Sequence, residues 1–340
     1  FPTVFTKGHG TKAPSRIGRL LGSKNQGIAQ RFLTGEIDED GVGFYSPRYE
    51  IATSGRIFEQ GVGVQGCPRE LRKALLELPP EYDLQHYDIV SSQLVCLLQQ
   101  IRLAKRLDAR FNVSTKWIEK YLTIDKAKRL LATEAGLIHA GMNEEELEKG
   151  TGIWKKCLYG LLFGSKLEED WGAWKALRDY APNNLEQTLA QVKKVLGPLE
   201  RILNKWRNWL ARHLVKGETW EEESRFHGPL LGARKVKRPG EHILKVSNAC
   251  GCIREFRLDS KGRLPKTAGR KVAAHIIQGM ESAAIHWLTI LPTMRPQFNY
   301  RVIANIHDGV ITLGEIPKEA WSEACHRAGL EGAGLEHKAL

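Results

Sequence analysis

Residues 81–107, EYDLQHYDIVSSQLVCLLQQIRLAKRL, carry the pattern that decides the fold. The segment 81–90 alternates as a strand, and 91–107 spaces its leucines, isoleucine and valine along one face of a helix. Ser91 or Ser92 is the expected helix cap. Asp88 therefore stands at a strand end just before a helix begins, a place from which a rigid frame projects a carboxylate. Taken singly, Asp88 can equally be an ordinary polar residue at a strand end.

Working outward, residues 1–52 mix glycine, proline and charge without sustained periodicity and read as loops with short elements. RELRKALLEL, 69–78, has the spacing of a short helix. Downstream, 115–164 is again helical in spacing, and 184–215 is a long helical tract that Gly197 and Pro198 are expected to break or kink. Between about 225 and 265 glycine, proline, arginine and β-branched residues suggest a basic hairpin insertion, with 242–258, HILKVSNACGCIREFRL, as its strand pair. Residues 269–291 resume helical periodicity, and 299–313, NYRVIANIHDGVITL, alternates as two strands joined by a tight turn. The sequence thus reads as α+β, with a helical middle between two acid-bearing β elements and no internal repeat.

The chain of 340 residues is 42% apolar, enough to bury a large core in one or two closely packed domains. Lysine and arginine number 51 against 39 acids, a charge of +12 that favours polyanionic partners, although a solvated basic face has the same composition. The six cysteines have no CxxC pairing and form no disulfide framework, so a reducing compartment and no zinc are expected. Cys250 and Cys252, around one glycine, read as neighbours on a strand or turn. No apolar run reaches membrane-spanning length and FPTVFTKGHGTK lacks a secretory pattern, so an intracellular protein with no membrane partner is expected. Its first residue is Phe1, so an upstream segment is also expected.

Asp88 and Asp308 are the candidate pair of acids. Two carboxylates at element ends suit magnesium, which favours a few carboxylates plus substrate phosphates, and two such ions about 4 Å apart serve phosphoryl transfer. Asp308-Gly309 is also a strong hairpin signal, because glycine tolerates the positive φ of a type I′ turn, and that alternative stays open. Within 152–166, GIWKKCLYGLLFGSK, Lys155, Tyr159 and Phe163 fall on one helix face. A cation and two rings in a stripe suit an incoming nucleotide, while core packing is the plainer use of such a stripe. Gly160 and Gly164 each follow an aromatic and point to close approach.

Together these segments resemble the family A DNA polymerases, the DNA polymerase I group, and more distantly the phage-type single-subunit RNA polymerases. ATSGRIFEQGVGVQGCPRELRKAL resembles the family's TGR stretch, with Arg56 as its primer-contacting arginine. YDIVSSQL resembles motif A, Lys155 with Tyr159-Gly160 and Phe163-Gly164 resembles motif B with the aromatics exchanged, and IANIHDGVITL resembles motif C. The resemblance spans residues 53–313 and implies a right-hand polymerase with an antiparallel-sheet palm, helical fingers and a thumb reduced or absent. The implied division is a 1–52 N-terminal segment, palm 53–110, fingers 111–225, basic hairpin insertion 226–266 and second palm part 267–340. It implies two Mg2+ ions, Mn2+ substituting, held by Asp88, Asp308 and the backbone carbonyl of Ile89. It further implies Lys155 as a catalytic cation, Gln93, Tyr159 and Phe163 around the nucleotide, and Arg56, Arg270, Gln278 and His307 on the primer–template.

Departures from the family pattern sharpen the expectations. Thr151 stands where motif B has a triphosphate-holding arginine, so Lys149 or Lys126 would have to serve instead. Gln93 and Phe163 replace a glutamate and the usual tyrosine, which implies relaxed discrimination between dNTP and rNTP. Gly309 replaces a glutamate and points towards RNA synthesis, whereas the compact spacing between Arg56 and Asp88 points more strongly to DNA synthesis. The short leading segment implies no proofreading. The expected function is a primer-extending DNA polymerase on a DNA or RNA template, in the cytoplasm, nucleoid or a phage's host, with an upstream domain or processivity partner in place of a thumb. The alternatives are a primer-independent RNA polymerase or primase, and a catalytically inactive nucleic-acid-binding module.

Overall fold

The computed structural model describes residues 3–6, 36–37, 42–45, 49–59, 64–67, 72, 83–124, 126–165, 172–181, 183–216, 233–238, 241–306 and 309–338. The strands are β1 (Thr3–Thr6), β2 (Glu36–Ile37), β3 (Val42–Tyr45), β4 (Tyr49–Ile51), β5 (Ile57–Glu59), β6 (Leu84–Ile89), β7 (Ala233–Arg238), β8 (Glu241–Ser247), β9 (Ile253–Arg257), β10 (Arg301–Ile306), β11 (Gly309–Leu313) and β12 (Leu335–Lys338). The α-helices, renumbered in chain order, are α1 (Ser92–Leu107), α2 (Lys116–Thr123), α3 (Ala127–Glu134), α4 (Glu144–Leu162), α5 (Gly172–Tyr180), α6 (Leu185–Lys216), α7 (Lys266–Met294) and α8 (Lys318–Ala328). The architecture is α+β, as the sequence pattern implies.

The sheet that matters most has strand order β10-β11-β6-β12, every neighbour antiparallel. One face of it closes on the core: Tyr87 and Ile89 of β6 and Val310 of β11 are buried. Period-2 alternation therefore directs His86 and Asp88 to the opposite face. The segment 242–258 forms β8 and β9 as expected, but β7 adds a third strand, so this region is a sheet in the order β7-β8-β9 and not a simple hairpin. The helix expected over 69–78 lies outside the described residues except for Arg72.

Helix α7 is the spine of the core. Val272, Ala273, Ile276, Ile277, Ala284, Leu288 and Leu291 are almost wholly buried, and burial around most of its circumference is what a helix packed on several sides requires. It packs against α1, α6 and α8. Helix α4 starts on a complete capping box, with the Asn143 side chain accepting from the Glu146 amide and the Glu146 carboxylate accepting from the Asn143 amide. Trp154 of α4 and Trp206 and Trp209 of α6 are fully buried in the core between the helices.

Two local expectations are corrected in part. Gly197 and Pro198 do not end the helix, since α6 runs unbroken from Leu185 to Lys216. Leu196, Leu199, Leu203 and Trp206 are all fully buried on its inner face, and their packing outweighs the single backbone bond that Pro198 forgoes. Nor does serine cap α1 through its side chain: Ser91 is the N-cap residue but makes no such bond. Its φ of 49° puts it in the left-handed region, where a side chain costs about 1 kcal/mol or more. Ser92 Oγ instead donates to Glu281, far along the chain.

Candidate active site

Asp88 lies in the central strand of its sheet, with Gly309 opposite it on β11 and Glu336 opposite it on β12. Directly opposed residues in antiparallel strands share a face, so Glu336 and Asp88 flank one another across the sheet. The Asp88 side chain is 23% exposed; its Oδ2 accepts from Lys338 Nζ, and His86 Nε2 stands 3.4 Å from Oδ1. Burial pushes the carboxyl up, but the hydrogen bonds and charges of His86 and Lys338 more than offset this and hold it at about 2. Asp88 is therefore ionised at neutral pH, which a metal ligand or electrostatic anchor requires.

His307 and Asp308 lie outside the described residues. Their neighbours Ile306 and Gly309 do not: these two are cross-strand partners, so the chain reverses between them as the sequence pattern implies. Gly309 is not a turn glycine, however. It is the buried first residue of β11, without the positive φ that would favour glycine there. A Cβ on it would come closer than 3.0 Å to both the Asp88 carboxylate and the Tyr87 carbonyl oxygen. The position is glycine because two backbones and a carboxylate meet there, and not because a turn demands its φ.

Arg56 sits beyond the hairpin turn between β4 and β5, and this turn is wedged against the core. Asn248 Nδ2 donates to the Ser54 carbonyl at 2.8 Å, and a Cβ on Gly55, whose φ is 88°, would strike the Cys250 side chain. Asn248 also uses its Oδ1 to accept from the amides of Cys250 and Cys252, which lie in the turn between β8 and β9. Gly279 of α7 has no Cβ because Asn248 occupies that space. The TSGR and QG segments are thus joined through a residue, Asn248, that sequence reasoning did not single out.

A second missed residue lies beside them. Glu281 of α7, 0% exposed, pairs with Arg56 Nη2 through one oxygen and accepts from Ser92 Oγ and Gln93 Nε2 through the other. Gln93 is itself buried, with its carboxamide engaged at 2.6 Å by Glu281. A glutamate in the apolar register of an otherwise core-facing helix was the available signal, since such a residue is rarely fully buried unless paired.

On α4 and its C-cap residue, Lys155 is exposed and Phe163 half-buried, while Tyr159, also half-buried, packs against the core that Trp154, Leu158 and Leu161 fill. The end of this helix is fixed from two directions. Arg207 of α6, buried, donates from Nη2 to the Leu161 carbonyl at 2.8 Å and the Leu162 carbonyl at 3.0 Å. Burial, then the charge of Arg270, lowers its pKa to about 10, so it remains a cation at neutral pH. Gly164, φ 97°, lies against the Arg270 side chain so closely that a Cβ would clash with it. Arg270 and Gln278, both half-buried, share one face of α7 at i and i+8 and lead towards Glu281.

Thr151 donates its hydroxyl to the Leu147 carbonyl. Lys149 shares a face with Lys156 instead of Lys155 and lies 5.9 Å from the Tyr180 ring, beside α5. Lys126 precedes α3 as its N-cap residue. The Ile89 side chain is buried in the core.

Magnesium is the ion the family resemblance implies. The charge at Asp88 fits a cation, since its ionised carboxylate already carries one in the Lys338 ammonium, which a metal bound at Oδ2 would have to displace. Among the described residues no group of three or more His, Cys, Asp or Glu side chains is disposed to hold a metal.

No protein-family model matches the chain, and no curated protein matches it. Solved structures do match, 99 chains in all. One is the "POL domain of Pol1 from M. smegmatis complex with DNA primer-template and dNTP", 15% identical over 91% of this chain and 49% of that one, with a TM-score of 0.49. The chain therefore spans about half the length of that relative in structure. No helix among the described residues is long and apolar enough to cross a membrane.

Proposed function

We propose that this chain is a template-directed nucleotidyltransferase, a DNA polymerase that extends a primer. The observation that carries the reading is the register of the central sheet: Gly309, the residue after Asp308, stands directly opposite the ionised Asp88. Asp308 itself lies outside the described residues, but the pairing of the next residue with β6 beside Asp88 supports a metal site shared by two acids more than two hundred positions apart. In this reading β6, β10, β11 and β12 form the palm and the helices around α4 form the fingers.

Asp88, Asp308 and the Ile89 carbonyl would hold two magnesium ions, which supply activation of the primer hydroxyl and neutralisation of the leaving pyrophosphate. Lys155, exposed on α4, meets the triphosphate as a point charge, and Tyr159 and Phe163 border the base and sugar. Arg56, Arg270, Gln278 and His307 hold the duplex. Gln93 stands where the family pattern has a glutamate, and that substitution supports relaxed discrimination between ribose and deoxyribose. DNA or RNA template, nucleoside triphosphates and an upstream or processivity partner complete the assembly.

Primer extension with Asp88→Ala and Asp308→Ala tests this. Each abolishes magnesium-dependent extension while duplex binding persists; full activity in either variant overturns the reading. The same assay with dNTP and rNTP pools, on DNA and RNA templates, assigns sugar and template. One observation favours a second reading, a binding module that has lost catalysis: Lys338 occupies Asp88 Oδ2, and no arginine stands at Thr151. Such a module retains duplex and never releases pyrophosphate.

A further inference from the structure

We propose that Glu281 is a positioning residue that couples the Arg56 guanidinium to the strand–helix junction following Asp88. The proposal deepens the polymerase reading and rests on it for its functional consequence, though not for its physical test.

Glu281 is fully buried at the centre of α7, and its two oxygens serve different parts of the molecule. Oε2 holds Arg56 Nη2 from the β4–β5 turn, and Oε1 accepts from Ser92 and Gln93 in the first turn of α1. Burying a carboxylate costs several kcal/mol even when it is paired, and apolar replacements of buried ion pairs are often neutral or stabilising. Packing alone would be served by an alanine or leucine, as in the rest of this helix. What a carboxylate adds is direction, because a fork-shaped cation and two polar donors fix its plane, and it fixes theirs.

Both segments it holds need outside restraint. Ser91, one residue before Ser92, is in the left-handed region without a side-chain cap, and such a conformation persists only where the surroundings over-determine it. The Arg56 side chain is 18% exposed, so part of it remains open to solvent while Glu281 holds Nη2. One buried anion thus sets the angle at which a partly exposed cation is offered and the angle at which the chain leaves Asp88. Glu281 touches no substrate itself.

Hydrogen–deuterium exchange tests the coupling in the intact chain. Glu281→Gln keeps the shape and removes the charge; it should accelerate exchange in both 52–59 and 89–97 at least threefold, with 301–306 unchanged. Unchanged exchange in either segment overturns the proposal. Should Glu281→Gln raise exchange everywhere, Ser92→Ala replaces it: this variant should accelerate 52–59 through the shared Glu281 carboxylate, and no change there overturns the coupling. For the functional consequence, Glu281→Gln should weaken primer–template binding about tenfold and add little to Arg56→Ala, because both act through one guanidinium. Full additivity refutes that route. If wild-type protein neither binds nor extends a primer–template, the polymerase reading fails, and the exchange result still decides the coupling.

Discussion

Replacing Gly309 distinguishes a steric glycine from a conformational one. In Gly309→Ala the new Cβ would lie closer than 3.0 Å to the Asp88 carboxylate and the Tyr87 carbonyl oxygen. The carbonyl belongs to β6 and cannot turn aside, while the carboxylate is held by Lys338. Overpacking of this kind costs about 1–3 kcal/mol, and the reduced freedom of the unfolded chain returns about 0.4–1 kcal/mol. The net loss is about 1–2 kcal/mol, which for a chain of this size shifts the melting midpoint by roughly 2–3 °C. Scanning fluorimetry of Gly309→Ala and Gly309→Asn reads it, with primer extension on the same samples. Asparagine tolerates left-handed backbone but is larger than alanine, so the steric account ranks it worse and the turn account ranks it better. Extension should fall at least about tenfold in Gly309→Ala, because the carboxylate it displaces is the proposed metal ligand. An asparagine variant as stable and active as wild type would refute the close-approach reasoning.

Asp88, with a pKa of about 2 against the ordinary 3.8, contributes stability that is fully present above 3.8 and lost as pH falls through 2. The shift corresponds to roughly 2 kcal/mol. Urea unfolding of wild type and Asp88→Asn should therefore show a stability gap that is constant above pH 5 and narrows towards pH 3; a gap independent of pH contradicts the assignment. Arg207→Met removes the donors that hold the Leu161 and Leu162 carbonyls, so exchange should rise over 159–165. The global loss should stay near 1–3 kcal/mol, since the charged hydrogen bonds are offset in part by a buried cation removed. Unaltered exchange at that helix end would show that Arg207 does not hold it.

Much of the local structure was legible. The alternation in 81–90 and 299–313 placed β6, β10 and β11, and the leucine spacing of 91–107 placed α1, because both periodicities report only which side of its own element a residue faces. The exposure of Lys155 and the burial of Trp154 and Leu158 follow from the same rule. The rule fails where a distant partner intervenes: Ser92 was readable as a cap and is instead a donor to Glu281, and Gly197-Pro198 was readable as a break but is carried through by buried neighbours.

The sequence by itself determined the element types, the acid at the strand end and the helix faces, since each is set by near neighbours and covalent geometry. Only the tertiary structure decided that Arg56 meets Glu281 across 225 positions, that Lys338 meets Asp88 across 250, and that Gly309 is small because β6 leaves no room. Strand register and helix packing choose those partners, and neither is encoded in any window of chain short enough to have a period.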